Sequence, residues 1–232
     1  MADQLDILYV AWNRLAFTRA SFQALLDYTE WNQIRRLVIY DDGSTDGTRE
    51  FLLRQLPLVP VASVVLHQTR LGGATPVMNR FLVEDDPAPL FVKIDNDFAV
   101  CPGWVSESVG VMHRNPELKI LGLHSESFFF PATPLIERTY QEAIAVGGVI
   151  MARTEIFNND RPANGELEEQ RRYGFFNAWQ VEHSQHVKGY PDPPLSTFLL
   201  NKLPIEPWAS LSVQYEACGW QRDTGKYAWW RE

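Results

Sequence analysis

Two carboxylates lie at the end of one apolar run. In the stretch LFVKIDNDFAVCPGW, residues 90–104, Leu90, Phe91, Val92 and Ile94 are apolar, and Asp95-Asn96-Asp97 follows at once. Alternate residues of an extended chain point the same way, so Asp95 and Asp97 can face one point in space. Two hard oxygen donors at that spacing suit Mg²⁺ or Mn²⁺, and such an ion in turn suits a diphosphate. Asp and Asn are also ordinary turn residues, so a solvated turn is the competing interpretation. A second polar cluster, Asp41-Asp42-Gly43-Ser44-Thr45-Asp46-Gly47-Thr48, follows the apolar LVIY of residues 37–40. A third, Trp12-Asn13-Arg14, follows DILYVA of residues 6–11.

The elements that must position these clusters alternate. Strands are expected at Asp6–Ala11, Leu37–Tyr40, Val61–Leu66 and Leu90–Ile94. Helices are expected at Arg19–Glu30, Arg49–Leu56 and from a Thr75 cap with Pro76 at its first position. Strand and helix alternating in this way give βαβ units and a parallel sheet. Ligands of such sheets bind beyond the carboxyl ends of the strands. All three polar clusters occupy such ends, so the topology puts them on one rim. No G-x-G-x-x-G follows the first strand, and neither a P-loop nor a G-x-S-x-G elbow is present. What is left is a parallel-sheet protein that holds phosphate through a metal.

Composition agrees with an ordinary globular chain. Of 232 residues, 45% are hydrophobic and 22% charged, enough apolar content for one large domain. The net charge of −8 argues against a nucleic-acid backbone as the main partner. Two cysteines, Cys101 and Cys218, stand far apart and fit a reducing compartment. No apolar run is long enough for a transmembrane segment, and no signal peptide is evident. The expectation is a cytoplasmic protein.

The motifs together resemble the GT-A fold glycosyltransferases, in particular family 2 of the nucleotide-sugar-dependent enzymes. ILYVAWNRLAFTRASFQALL is similar to that family's opening strand, loop and helix. VIYDDGSTDGT is similar to its Asp-Asp-Gly-Ser turn, HQTRLGGATPVMNRFL to its Gly-rich loop and helix, and VKIDNDFAVCPGWV to its D-x-D strand end. The resemblance implies an α/β/α sandwich, Rossmann-like, with a mainly parallel central sheet. It implies one domain over residues 1–232: a nucleotide-sugar half at 1–104, an acceptor half at 105–200, and an aromatic tail at 201–232 docked on the body.

It also implies roles. Ala11, Trp12, Asn13, Arg14, Asp41 and Asp42 would hold the nucleotide. Arg70, or Arg80 on the next helix, would reach the diphosphate. Asp95 and Asn96 would approach the ribose or the metal, and Asp97 would ligate Mn²⁺ or Mg²⁺. A histidine, His183 or His186, would add a metal ligand, although both also read as ordinary half-buried imidazoles. The general base falls in the region 174–186, where Gln180 stands in one register opposite the family's acid pair. Glu182 is then the candidate base, with Asp160 and Glu166 to Glu169 as alternatives. A Gly in the strand beneath the sugar matches Gly147-Gly148 in the expected strand Ala143–Ala152.

The expected activity is metal-dependent transfer of a hexosyl-type group from a nucleotide-diphosphate sugar, UDP-sugar before GDP-sugar, to an unidentified hydroxyl. Inversion at the anomeric carbon is implied. A saccharide, a protein or a modified nucleobase would each fit as acceptor. Gln180 keeps open a nucleotide-sugar-binding protein without turnover. A sugar-phosphate nucleotidyltransferase shares the sheet, but it calls for a glycine after the first strand that Ala11-Trp12-Asn13-Arg14 lacks.

Overall fold

The computed structural model describes residues 5–61, 64–68, 70–100, 102–123, 140–142, 149–159, 187–191 and 198–199. Four parallel strands open the fold: β1 (Leu5–Ala11), β2 (Ile34–Asp41), β3 (Val64–His67) and β4 (Leu90–Asp95). Between them run α1 (Leu15–Tyr28), α2 (Thr48–Gln55) and α3 (Ala74–Glu84). A two-residue strand β5 (Phe98–Ala99) precedes α4 (Trp104–Arg114), β6 (Leu118–Gly122), β7 (Tyr140–Glu142), β8 (Ile150–Arg153), α5 (Glu155–Asn159), β9 (Val187–Pro191) and β10 (Phe198–Leu199). The main sheet has the order β3-β2-β1-β4-β8-β6-β9-β7. β8 runs antiparallel to both β4 and β6, and β7 runs antiparallel to β9; the other neighbours are parallel. β10 pairs antiparallel with β5 in a separate ribbon.

Successive residues of the central strands feed two different cores, because their side chains alternate across the sheet. Ile7, Tyr9, Leu37, Ile39, Val92 and Ile94 pack on the face of α1 and α4, against Phe22, Leu25, Trp104 and Met112. Leu8, Val38, Tyr40 and Phe91 pack on the other face, against Val77, Met78 and Phe81 of α3 and Phe157 of α5. The expected three-layer sandwich with its mainly parallel sheet is therefore present.

Two helices begin earlier than their apolar spacing suggests. α1 starts at Leu15 rather than Arg19, because the Leu15 N–H donates to Asp46 Oδ2 at 2.9 Å and Phe17 enters the core. α3 starts at Ala74 with Gly73 as its N-cap, not at Thr75. The carboxylate of Asp42, distant in the chain, accepts the N–H groups of Gly72 and Gly73 in front of this helix. The acid therefore fixes the residues that lead into the helix, and the first turn itself has no side-chain cap. At β8 the strand covers Ile150–Arg153, while residues 143–148 of the expected strand lie outside the described residues, as does the aromatic tail of 201–232.

The end of the sheet opposite the polar rim is pinned by one carboxylate. Asp6, fully buried, accepts from Arg35 Nε at 2.8 Å and Nη2 at 2.6 Å, from Arg36 Nη2 at 2.9 Å and from the Ala88 N–H at 3.1 Å. These bonds join β1, β2 and the segment that enters β4. A charge so deep in the fold is tolerable because both carboxylate oxygens accept hydrogen bonds and two guanidinium groups face them.

Candidate functional site

Register brings the three polar clusters together. Ala11 pairs with Asp41 across β1 and β2, and Val10 pairs with Asp95 across β1 and β4. The strands end level with one another, so their loops form one rim, as the alternating elements imply. Asp41 and Asp95 are one residue out of step in this register, and so lie on opposite faces of the strand ends.

Asp41 is 1% exposed. Its Oδ1 accepts the Ser44 N–H at 3.1 Å, and its Oδ2 has no hydrogen-bond partner among the described residues. Burial raises its pKa above the ordinary carboxylate value; the Ser44 hydrogen bonds oppose this and Asp42 adds to it. An ionisable oxygen buried with an empty lone pair is costly, and such a position is a candidate ligand acceptor.

Asp42, its neighbour, is fully occupied. It accepts Arg70 Nη1 at 2.6 Å and the N–H groups of Leu71, Gly72 and Gly73, the last at 2.8 Å. The Arg70 guanidinium also donates to the Asp42 carbonyl at 3.0 Å and lies 4.4 Å from the centre of the Trp12 ring. Asp42 therefore shapes the loop of residues 70–73 and fixes Arg70 over Trp12. Arg80 is turned elsewhere: it donates to Glu84 one helical turn on and to the Tyr40 hydroxyl at 3.1 Å.

The loop after β1 takes an unusual path. Asn13 and Arg14 both have positive φ, at 50° and 63°. Asn adopts the left-handed region readily, whereas Arg does so only where neighbours hold it. The neighbours here are specific. Asn13 Oδ1 accepts the Thr45 N–H at 2.7 Å, and the Asn13 N–H donates to Ser44 Oγ at 2.7 Å. The Asn13 carbonyl accepts Asn96 Nδ2 at 2.8 Å, and the same amide donates to Thr18 Oγ1 at 2.8 Å. Asn96 thus ties the end of β4 to the start of α1.

Each acid of the Asp95-Asn96-Asp97 turn meets a cation of the chain. Lys93 Nζ lies 2.7 Å from Asp95 Oδ2, and Arg14 Nη1 lies 3.2 Å from Asp97 Oδ2. Burial raises the Asp95 pKa; Lys93 lowers it, and the charge of Asp97 raises it again. The two carboxylates are therefore electrostatic neighbours. Two hard carboxylates, completed by substrate oxygens, are a fitting donor set for Mg²⁺ or Mn²⁺. Among the described residues no group of three His, Cys, Asp or Glu side chains converges. His183 and His186, and the candidate base Glu182, lie outside the described residues.

Several site residues are not apparent from the residue types. Ser44, Thr45 and Asp46 read only as turn formers, yet they orient Asn13 and the start of α1. Lys93 reads as a strand residue; its spacing of two from Asp95 is the signal that places both on one face.

The family model described as glycosyl transferase family 2 matches residues 6–182. TarS of S. aureus, residues 1–349, superposes with a TM-score of 0.61 at 13% identity, over 85% of this chain and 60% of that one. The mannosyltransferase PcManGT from Pyrobaculum calidifontis, in complex with GDP-Man and Mn²⁺, gives 0.57 at 13% identity, over 81% and 54%. GalNAc-T7 with UDP, GalNAc and Mn²⁺ gives 0.61 at 13% identity, over 81% and 42%. The chain thus spans 42% to 60% of the length of these three structures. No curated protein matches it by sequence. Among the described residues, no helix is long and apolar enough to cross a membrane.

Proposed function

The chain belongs to glycosyl transferase family 2, and from that premise we propose that it moves a sugar from a nucleotide-diphosphate sugar, with UDP-sugar the favoured donor, to a hydroxyl acceptor. The observation that carries this reading is Asp41 Oδ2, a buried acceptor without a partner among the described residues, on the rim where strand ends bind ligands. A uracil ring offers an imide N–H to such an oxygen. Trp12 and the rim around Ala11, Asn13 and Asp41 form the nucleoside side of the site. Arg70, set by Asp42, stands beside it.

Asp95 and Asp97 are the residues that would hold a divalent cation, Mn²⁺ or Mg²⁺. Bound there, it would supply charge stabilisation to the departing nucleoside diphosphate. Asn96 holds this turn in register with the β1 loop, so the nucleoside and diphosphate ends of the donor meet a preset spacing. In this reading Glu182 takes the acceptor proton and the sugar is inverted by direct displacement. His183 or His186 completes the ligand set.

Calorimetric titration with UDP, with and without Mn²⁺, tests the reading on the wild type and on Asp97→Ala. Metal-dependent UDP binding that is lost in Asp97→Ala is the expected result. Binding of GDP alone would change the donor and keep the class. Binding of neither nucleotide would overturn it.

A further inference from the structure

The acids of the Asp95-Asn96-Asp97 turn are already neutralised from within the chain. Lys93 stands on Asp95 at 2.7 Å and Arg14 on Asp97 at 3.2 Å. The Lys93, Arg14 and Asp97 side chains are each no more than 12% exposed, and Asp95 is 28% exposed. Shielding from water strengthens both pairs relative to a surface ion pair. Their placement is fixed by backbone. Lys93 precedes Asp95 by two residues of β4, so the pleat puts them on one face. Arg14, in the left-handed region like Asn13 before it, is buried.

Resting on the donor-site reading above, we infer that Lys93 and Arg14 are resident counter-cations that suppress capture of a free divalent ion at Asp95 and Asp97, so that the ion is admitted only together with the donor diphosphate. The charge count supports this. Among the described residues, the two acids and two bases of this turn sum to zero. A free divalent ion would leave the shielded turn with two uncompensated positive charges, or would have to expel Lys93 and Arg14 from their partners. A diphosphate diester carries one negative charge on each phosphate, so the ion and the diphosphate cancel. The phosphate oxygens also offer the displaced ammonium and guanidinium new charge-assisted hydrogen bonds. Lys93 is in these terms a positioning and specificity residue; it need not touch the reacting atoms.

The test is Mn²⁺ binding to the full chain, read from the paramagnetic resonance of the free ion, with and without UDP, the ion held by UDP alone being measured in protein-free samples and subtracted. It compares the wild type, Lys93→Met and Lys93→Arg, each checked for fold by circular dichroism. The wild type should bind Mn²⁺ at least ten-fold more weakly alone than with UDP. Lys93→Met should tighten binding of Mn²⁺ alone at least ten-fold, and Lys93→Arg, which keeps the ion pair, should stay at the wild-type value. Equal binding of Mn²⁺ alone by the wild type and Lys93→Met overturns the inference, while UDP binding in the same samples leaves the donor site standing. Should Lys93→Met not fold, tight wild-type binding of Mn²⁺ alone is by itself sufficient to overturn it. Absence of binding of both UDP and Mn²⁺, singly and together, overturns the inference and the donor-site reading alike.

Discussion

The carboxylate of Asp42 accepts the N–H of Gly73 at 2.8 Å, and so couples the turn after β2 to the start of α3. The same carboxylate holds Arg70 and the amides of Leu71 and Gly72. Asp42→Ala leaves these donors unpaired. A loss of about 3 kcal/mol is expected, the scale of one or two buried hydrogen bonds to a charged group. Urea unfolding measures it. Asp42→Asn should recover only part, because its amide nitrogen would face donors.

Asp41 should behave in the opposite sense. Burial raises its folded pKa, so the native state keeps this proton to higher pH than the unfolded chain does. Its contribution is therefore full below the unfolded value, about 3.9, and is lost as pH rises through the folded value. Asp41→Asn removes that dependence. The difference in stability between variant and wild type should grow in the variant's favour across this window, in unfolding curves recorded at successive pH values. UDP affinity should move the other way: weaker in Asp41→Asn, and weaker in the wild type as acid protonates Asp41.

Asp6 tests the far end of the sheet. Asp6→Ala removes the acceptor shared by Arg35, Arg36 and the Ala88 N–H, leaves the two guanidinium groups only the Asp86 and Asp85 carbonyls, and should cost about 2–3 kcal/mol. The folded fraction should keep wild-type UDP affinity, since no bond of Asp6 reaches the rim. Parallel denaturation and calorimetry separate the two effects.

Gly43 has φ +78°, and a Cβ built on it would lie 3.2 Å from Cβ and Cδ of Arg70. Gly43→Ala therefore meets backbone strain and a side chain that Asp42 holds in place. A cost of about 1–2 kcal/mol is expected. Thermal unfolding reads it, and Gly47→Ala offers a comparison: its φ is +92°, yet its nearest contact, Leu15 Cδ2 at 3.5 Å, is ordinary packing.

The rim was legible in the sequence because parallel strands with apolar runs of similar length end level, and each run here stops at a polar cluster. What residue types do not carry is which polar atoms the fold itself consumes. Asp41 and Asp42 are identical neighbours, and the return of residues 70–73 to the turn occupies Asp42 while Asp41 Oδ2 has no partner among the described residues. Lys93 was hidden in the same way, as a polar residue inside a strand whose partner is two positions on. The start of α1 depends on Asp46, a contact between two loops that no local helix pattern contains. The base and histidine candidates fall in residues 160–186, outside the described part, and there the family resemblance is the sole guide.

Asn96 bonds at once to the Asn13 carbonyl and the Thr18 hydroxyl, while Asn13 is bonded in turn to Ser44 and Thr45. The three loops are consequently one heritable cassette. A chimera that imports the β4 turn of a relative without residues 11–18 would lose both bonds of Asn96, and one that then imports 11–18 without 41–48 would lose those of Asn13. Exchange of donor preference between relatives should succeed when all three segments travel together, and fail when they are swapped singly.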